Sequence, residues 1–191
     1  MKKITLLMLL FSVYLIQAQG IKANNPNMFF GVDFSLAKVY GAEESPGDFV
    51  EAFDRINNLF VSEAKKYNPD KAFKSKNMAL SLTMVHDMIE DIDMKELIVD
   101  SNDYHLTREE IERQVKKYKT GDAQGIGAIL IADMLDKSNN SATYQAVVFD
   151  IRTKEVISVR EVSGKAKGFG LRNFWARSVL ESMDRLAKSK K

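Results

Sequence analysis

The sequence predicts an α/β (α+β) domain: a single mixed sheet of about five strands with helices packed on it, in the order β-α-β-(α)-α-β-β-β-α. Three observations carry that expectation. Ile126 to Ile131 is apolar at every position that has a side chain, the pattern of a strand buried on both faces. Met28, Phe30, Val32, Phe34 and Leu36 alternate with Phe29, Gly31, Asp33 and Ser35, the period of a strand. Between and after these runs, apolar residues recur at helical spacing, with start and stop signals at the expected places.

The elements follow in order. Met28 to Leu36 is the first strand, and Gly41 to Gly47, with Pro46 and two acids, is a loop. Asp48 is a candidate N-cap for a helix carrying Phe49, Phe53, Ile56, Phe60 and Ala64, expected to end near Tyr67 because Asn68-Pro69 stops it. Lys76 to Val85 alternates through Leu80, Leu82 and Met84 and reads as a second strand. His86 to Ser101 fits either an irregular helix on Met88, Ile89, Ile92 and Leu97 or a short strand at Leu97-Ile98-Val99. Thr107-Arg-Glu-Glu110 is a capping box, with Leu106 and Ile111 at the staple positions, so a helix runs from Arg108 to about Lys119 and ends by Gly121. After the central strand, Ala142–Ile151 and Val156–Val162 form a hairpin across the turn Arg152–Glu155. A glycine and lysine loop, Gly164–Gly170, leads to a last amphipathic helix on Leu171, Phe174, Trp175, Val179, Met183 and Leu186. The core is expected to centre on Ile129 and Ile131, with Phe53, Phe60, Val147, Phe149 and Trp175 packed around them.

The chain has 191 residues and no cysteine, so its stability must come from its core without disulfides. Met1-Lys2-Lys3, the apolar stretch Ile4–Ile16 and the small residue Ala18 form the three regions of a secretory signal peptide. The apolar stretch is shorter than the roughly 20 residues a membrane helix needs. The expected organisation is therefore a signal peptide over 1–18, a linker over 19–27 and one α/β domain over 28–191. Cleavage after Ala18 would release a periplasmic or secreted protein with no transmembrane span. Loss of Lys2 and Lys3 takes the formal charge from +2 to zero, which argues against a nucleic-acid partner. Charge is uneven along the chain. His86 to Glu112 is rich in acid and Arg160 to Lys191 rich in base, a pattern read here as solvated helix faces and a basic tail.

Within Gly127–Leu186, the central strand, the hairpin through Val147-Val148-Phe149-Asp150-Ile151, a glycine-containing loop and a terminal helix resemble the C-terminal half of a group of exported bacterial α/β domains. The group includes the curli-secretion lipoprotein CsgG, the penicillin-binding-protein activator LpoB and the N-terminal part of TolB. In it a strand, an Asp, two or three residues and Thr-Gly-Glu precede the next strand. Here Lys154 stands where glycine is usual. Gly168-Phe-Gly-Leu-Arg-Asn-Phe-Trp175 also resembles a hallmark of a family of exported proteins. The resemblance implies a non-enzymatic envelope role with an envelope protein, or the protein itself, as partner. It offers no catalytic residues, and the cysteine that anchors the two lipoproteins to lipid is missing.

The residues support few kinds of chemistry. The two histidines, His86 and His105, with Glu90 one turn after His86, could serve a metal-dependent hydrolase, but no HExxH pattern or cysteine pair accompanies them. There is no G-x-S-x-G elbow. Gly121–Gly127 precedes a strand and does not follow one, which excludes a dinucleotide fingerprint. No catalytic residue, metal or cofactor is assigned. The expected working surface is the last loop, with Lys165, Lys167, Phe169 and Arg172 binding a partner protein or, as the alternative, a small ligand or anion at the free amides of the helix start.

Overall fold

A computed structural model describes residues 25–189. The proposed signal peptide and most of the linker lie outside the described residues. Among the described residues no helix is long and apolar enough to cross a membrane.

One mixed sheet is built around β5 (Ile126–Asp136). Along one side, β1 (Met28–Asp33) pairs parallel with the first half of β5 and β2 (Lys38–Tyr40) parallel with its second half. Outside these, the two-residue strands β3 (Ala79–Leu80) and β4 (Ile98–Val99) pair parallel with β1 and β2. On the other side of β5 runs an antiparallel meander, β6 (Ser141–Asp150) and β7 (Val156–Lys165). The mixed α/β architecture is as the sequence predicts. Among the described residues, five of the seven strands have three residues or more, and the two short ones are set by parallel pairing rather than by their own pattern.

The sheet separates two apolar layers. Ala128, Leu130 and Ala132 face Phe29, Phe34, Phe53, Phe60, Tyr144 and Trp175. Ile129 and Ile131 face Phe30, Leu106, Ile111, Val115, Val147 and Phe149. The expected single core is thus divided by the sheet: Val147 and Phe149 do pack with Ile129 and Ile131, whereas Phe53, Phe60 and Trp175 lie on the opposite face. Period-two alternation forces this division, because a strand buried on both faces serves two cores.

The first layer is covered by α1 (Pro46–Asn57), the short helices α2 (Leu59–Ser62) and α3 (Pro69–Ala72), and α7 (Leu171–Lys188). Ser45, not Asp48, is the N-cap of α1. Asp48 is its N3 partner in a capping box, and Pro46 occupies the first turn, where a missing N–H costs nothing. The helix does not continue to Tyr67. It stops at Asn57, whose side chain is turned inward, and Asn68 caps α3. Ser178 and Ser182 of α7 face the sheet, and a Cβ at Gly164 would stand 2.0 Å from the Ser178 carbonyl oxygen. Gly164 therefore belongs to β7 and permits close approach of the helix. It is not the start of a flexible turn.

The second layer is covered by α6 (Arg108–Lys117) and by Met84 and Val85 of α4 (Thr83–Ile89), whereas Ile89 of α4 and Leu97 of α5 (Met94–Leu97) pack into the first. The predicted strand over Lys76–Val85 reduces to β3. The neighbours Met84 and Val85 are both buried while Leu80 is exposed, a pattern that a helix starting at Thr83 satisfies and a one-faced strand does not. Both readings of His86–Ser101 hold locally, as α5 followed by β4. The capping box of α6 forms as predicted, with Thr107 and Glu110 reciprocally bonded. The helix ends at Lys117, earlier than expected, because Tyr118 turns into the core.

Candidate functional site

The loop Ala166–Gly170 crosses from the end of β7 to α7, on the flank of α1. Its backbone is held at several points. The Ala166 N–H donates to the Asn140 carbonyl at 2.8 Å, the Lys167 N–H to the Phe174 carbonyl at 3.2 Å, and the Asn173 side-chain amide to the Phe169 carbonyl at 3.1 Å. Gly168 and Gly170 have φ of +135° and +78°, conformations open to glycine and strained for other residues. Between them the Phe169 side chain is 96 % exposed. Trp175, by contrast, is fully buried against Phe49 and Phe174.

The four sequence-predicted residues do not form one cluster. Phe169 and Arg172 line one shallow depression of about 270 Å³ together with Asp48, Glu51 and Arg55 of α1. Lys167 lines a neighbouring one of about 210 Å³ with Lys66, Tyr67 and Arg177, and Asn173 borders both. Lys165 stands apart. It is the last residue of β7, its N–H donates to Glu181 at 3.2 Å and its ammonium to the Asn139 carbonyl at 3.3 Å. Among the described residues, Lys167 and Arg172 form no ion pair, while Arg55, Lys66 and Arg177 are paired with Glu51, Glu63 and Glu181. Gly170 gives α7 no side-chain cap, and no acid stands in its first turn. The surface thus presents an aromatic ring, two cations outside any ion pair, with Asp48, Glu51 and Glu63 in the same depressions, and the positive end of a long helix.

The histidines are separated. The His86 Nδ1 lies 2.6 Å from Asp54 of α1, an ion pair when the ring is protonated. His105, in the segment before α6, is grouped instead with Asp133 of β5 and Glu161 of β7. The arrangement of His86, Glu90 and His105 weighed from the sequence is not assembled.

Sequence reasoning missed a buried polar layer on the α6 side of the sheet. Asp33, at the carboxyl end of β1, is fully buried. One oxygen accepts from the Ser35 N–H, and the other from the Gln114 amide at 2.9 Å and the Tyr118 hydroxyl at 2.8 Å. Burial, together with the Asp33 carboxylate, pushes the Tyr118 hydroxyl well above the ordinary tyrosine value. Asp133 is equally buried and accepts from the Leu106 N–H and the Gln145 amide. Burial raises its pKa, and the Gln145 and Leu106 hydrogen bonds and His105 offset only part of that rise. Asp136, at the end of β5, accepts from Asn102 and Asn139. The available signal was an aspartate inside an apolar run, Ile131-Ala132-Asp133-Met134-Leu135.

The chain matches no protein-family model and no curated protein. Among solved structures it is similar to the LpoB C-terminal domain from Salmonella enterica, with 14 % identity and a TM-score of 0.32 over 80 % of this chain and 91 % of that one.

Proposed function

We propose that the protein is an exported, non-enzymatic binding module that docks a protein partner, or a second copy of itself, through the loop Ala166–Gly170 and the first turn of α7. The observation that carries this reading is Phe169: a large apolar side chain, 96 % exposed, on a backbone pinned by its neighbours. An aromatic ring held on a fixed backbone buries much area for little lost freedom, which is why such residues anchor interfaces. Lys167 and Arg172 flank it without carboxylate partners among the described residues, so the complementary surface is an apolar pocket rimmed by Asp and Glu. Export rests on the N-terminal pattern Met1–Ala18.

Site-specific photo-crosslinking in intact cells tests the reading. A crosslinking residue in place of Phe169 is expected to give one discrete adduct in the envelope or secreted fraction. The adduct is lost when Lys167 and Arg172 are both replaced by alanine, and it does not form from the same probe at Thr153 in the hairpin turn. An adduct of twice the protein's mass identifies a second copy as the occupant. Crosslinks of equal yield from both positions, or none from either, would overturn the proposal.

A further inference from the structure

We infer that His105, Asp133 and Glu161 form a binding site for one divalent first-row metal ion, represented by Zn²⁺ or Mn²⁺. The three residues come from the segment before α6, from β5 and from β7, and their candidate ligand atoms all lie within 4.8 Å of one another. Three potential ligands from three separate segments converge there. His105 makes no direct ion pair or hydrogen bond with either carboxylate, so it stands too far for contact but within reach of an ion shared between them. Two metal–ligand bonds of about 2.1 Å span up to roughly 4.2 Å, so the required inward movement is small. The exposed side chains of His105 and Glu161 are free to make it.

A second observation concerns the support around the ligands. Asp133 is fully buried and fixed, with one oxygen held by the Leu106 N–H at 3.1 Å and the other by the Gln145 amide at 3.0 Å. The same Gln145 amide lies 3.4 Å from a Glu161 oxygen, so one neutral donor draws two carboxylates together. Neither carboxylate has a Lys or Arg partner among the described residues. A rigid inner ligand oriented by hydrogen bonds, with mobile outer ligands, is the arrangement by which proteins hold and tune a metal. The donor set of one imidazole nitrogen and two carboxylate oxygens suits Zn²⁺ or Mn²⁺ better than Ca²⁺, which prefers oxygen alone, or Cu⁺, which prefers sulfur. Three protein ligands leave a coordination position for water or a partner's side chain. The ion would tie the outer strand of the meander to the central strand and to the entry of α6.

Titration calorimetry and thermal melts of the chelator-treated protein with Zn²⁺ or Mn²⁺ alone test the site. One ion per chain is expected, with the melting temperature rising by about 5–10 °C at a hundredfold excess over Kd. His105→Ala and Glu161→Ala should each weaken binding on the order of 100-fold. Because both side chains are exposed, the metal-free melting temperature of each variant should stay near that of the wild type. His86→Ala should bind as the wild type does. The inference fails if neither ion binds, if binding survives His105→Ala or Glu161→Ala, or if His86→Ala is the change that abolishes it.

Discussion

The side chain of Asn57 pairs with the backbone of Val32 as a neighbouring strand would. Its carbonyl oxygen accepts the Val32 N–H at 2.8 Å, and its amide donates to the Val32 carbonyl at 2.9 Å. The need arises because β1 is irregular. Gly31 has a φ of +90°, and the register with β5 shifts between Phe29 and Val32. The last residue of α1 thereby closes a break in the sheet. Asn57→Ala removes the partners of both backbone groups of the buried Val32. At about 1–3 kcal/mol for each of the two groups left unsatisfied, the loss should be about 2–6 kcal/mol. Urea unfolding measures it, and a loss under about 1 kcal/mol would show that water takes over the role of Asn57.

Ile129 and Leu130 are adjacent and both fully buried, each in a different apolar layer. Aspartate at either position places a carboxylate in the interior, at a cost of several kcal/mol. That is a large share of the roughly 5–15 kcal/mol by which a domain is stable. Both Ile129→Asp and Leu130→Asp should therefore lower the melting temperature severely. A strand with one wet face would tolerate one of the two, so a wild-type melting curve from either variant would remove that layer from the core.

The parts of the fold that were legible in the sequence are those whose signals are local. The Thr107–Glu110 capping box, the doubly apolar Ile126–Ile131 and the hairpin turn after Asp150 each determine their own structure. Even Lys154, standing where a glycine would be usual, adopts the left-handed φ of +62° that the turn demands. The parts that were not legible depend on distant partners. Leu80, Leu82 and Met84 alternate as a strand would, yet the burial of Met84 beside Val85 makes the segment helical. Strands of two or three residues, β2 to β4, exist only because a neighbour offers a parallel edge. The group His105, Asp133 and Glu161 joins residues 28 positions apart in sequence, a separation that matches no ligand-spacing motif. Phe169 was legible as exposed because glycines flank it.

The hairpin turn provides a pH-dependent contribution of known sign. Asp150 accepts the Thr153 N–H at 2.7 Å and the Arg152 N–H at 2.9 Å, and these bonds hold its carboxyl below the usual range. A folded pKa below the unfolded value stabilises the protein above the unfolded value, near pH 4, and that contribution is lost as pH falls through the folded one. Asp150→Asn lacks the charge. The gap in stability between wild type and variant should be widest near neutral pH and should shrink as the pH falls below the unfolded carboxylate value of about 4. Denaturant titrations at several pH values read the gap directly. A gap that is constant or widens in acid would mean the turn does not depend on the carboxylate.

Gly164 and Phe169 lie five residues apart in one glycine and lysine segment, and the fold gives them opposite roles. Gly164 is buried in β7, where a Cβ would meet the backbone of α7 at Ser178, 2.0 Å from the carbonyl oxygen. A main-chain atom cannot swing aside as a side-chain tip can, so Gly164→Ala must push β7 and α7 apart. The helix supplies Trp175, Val179 and Met183 to the core, and separation would cost packing along its length. Forced overpacking of this kind costs about 1–3 kcal/mol, so the melting temperature should fall by several degrees. Phe169 is 96 % exposed and touches little, so Phe169→Ser should leave stability within about 0.5 kcal/mol. Crosslinking from a probe at Asn173, which borders the same depression, should respond in the reverse way, lost in Phe169→Ser and retained at temperatures where Gly164→Ala is still folded. If Phe169→Ser destabilised the fold as Gly164→Ala does, the ring would belong to the core, and the docking surface would have to lie elsewhere.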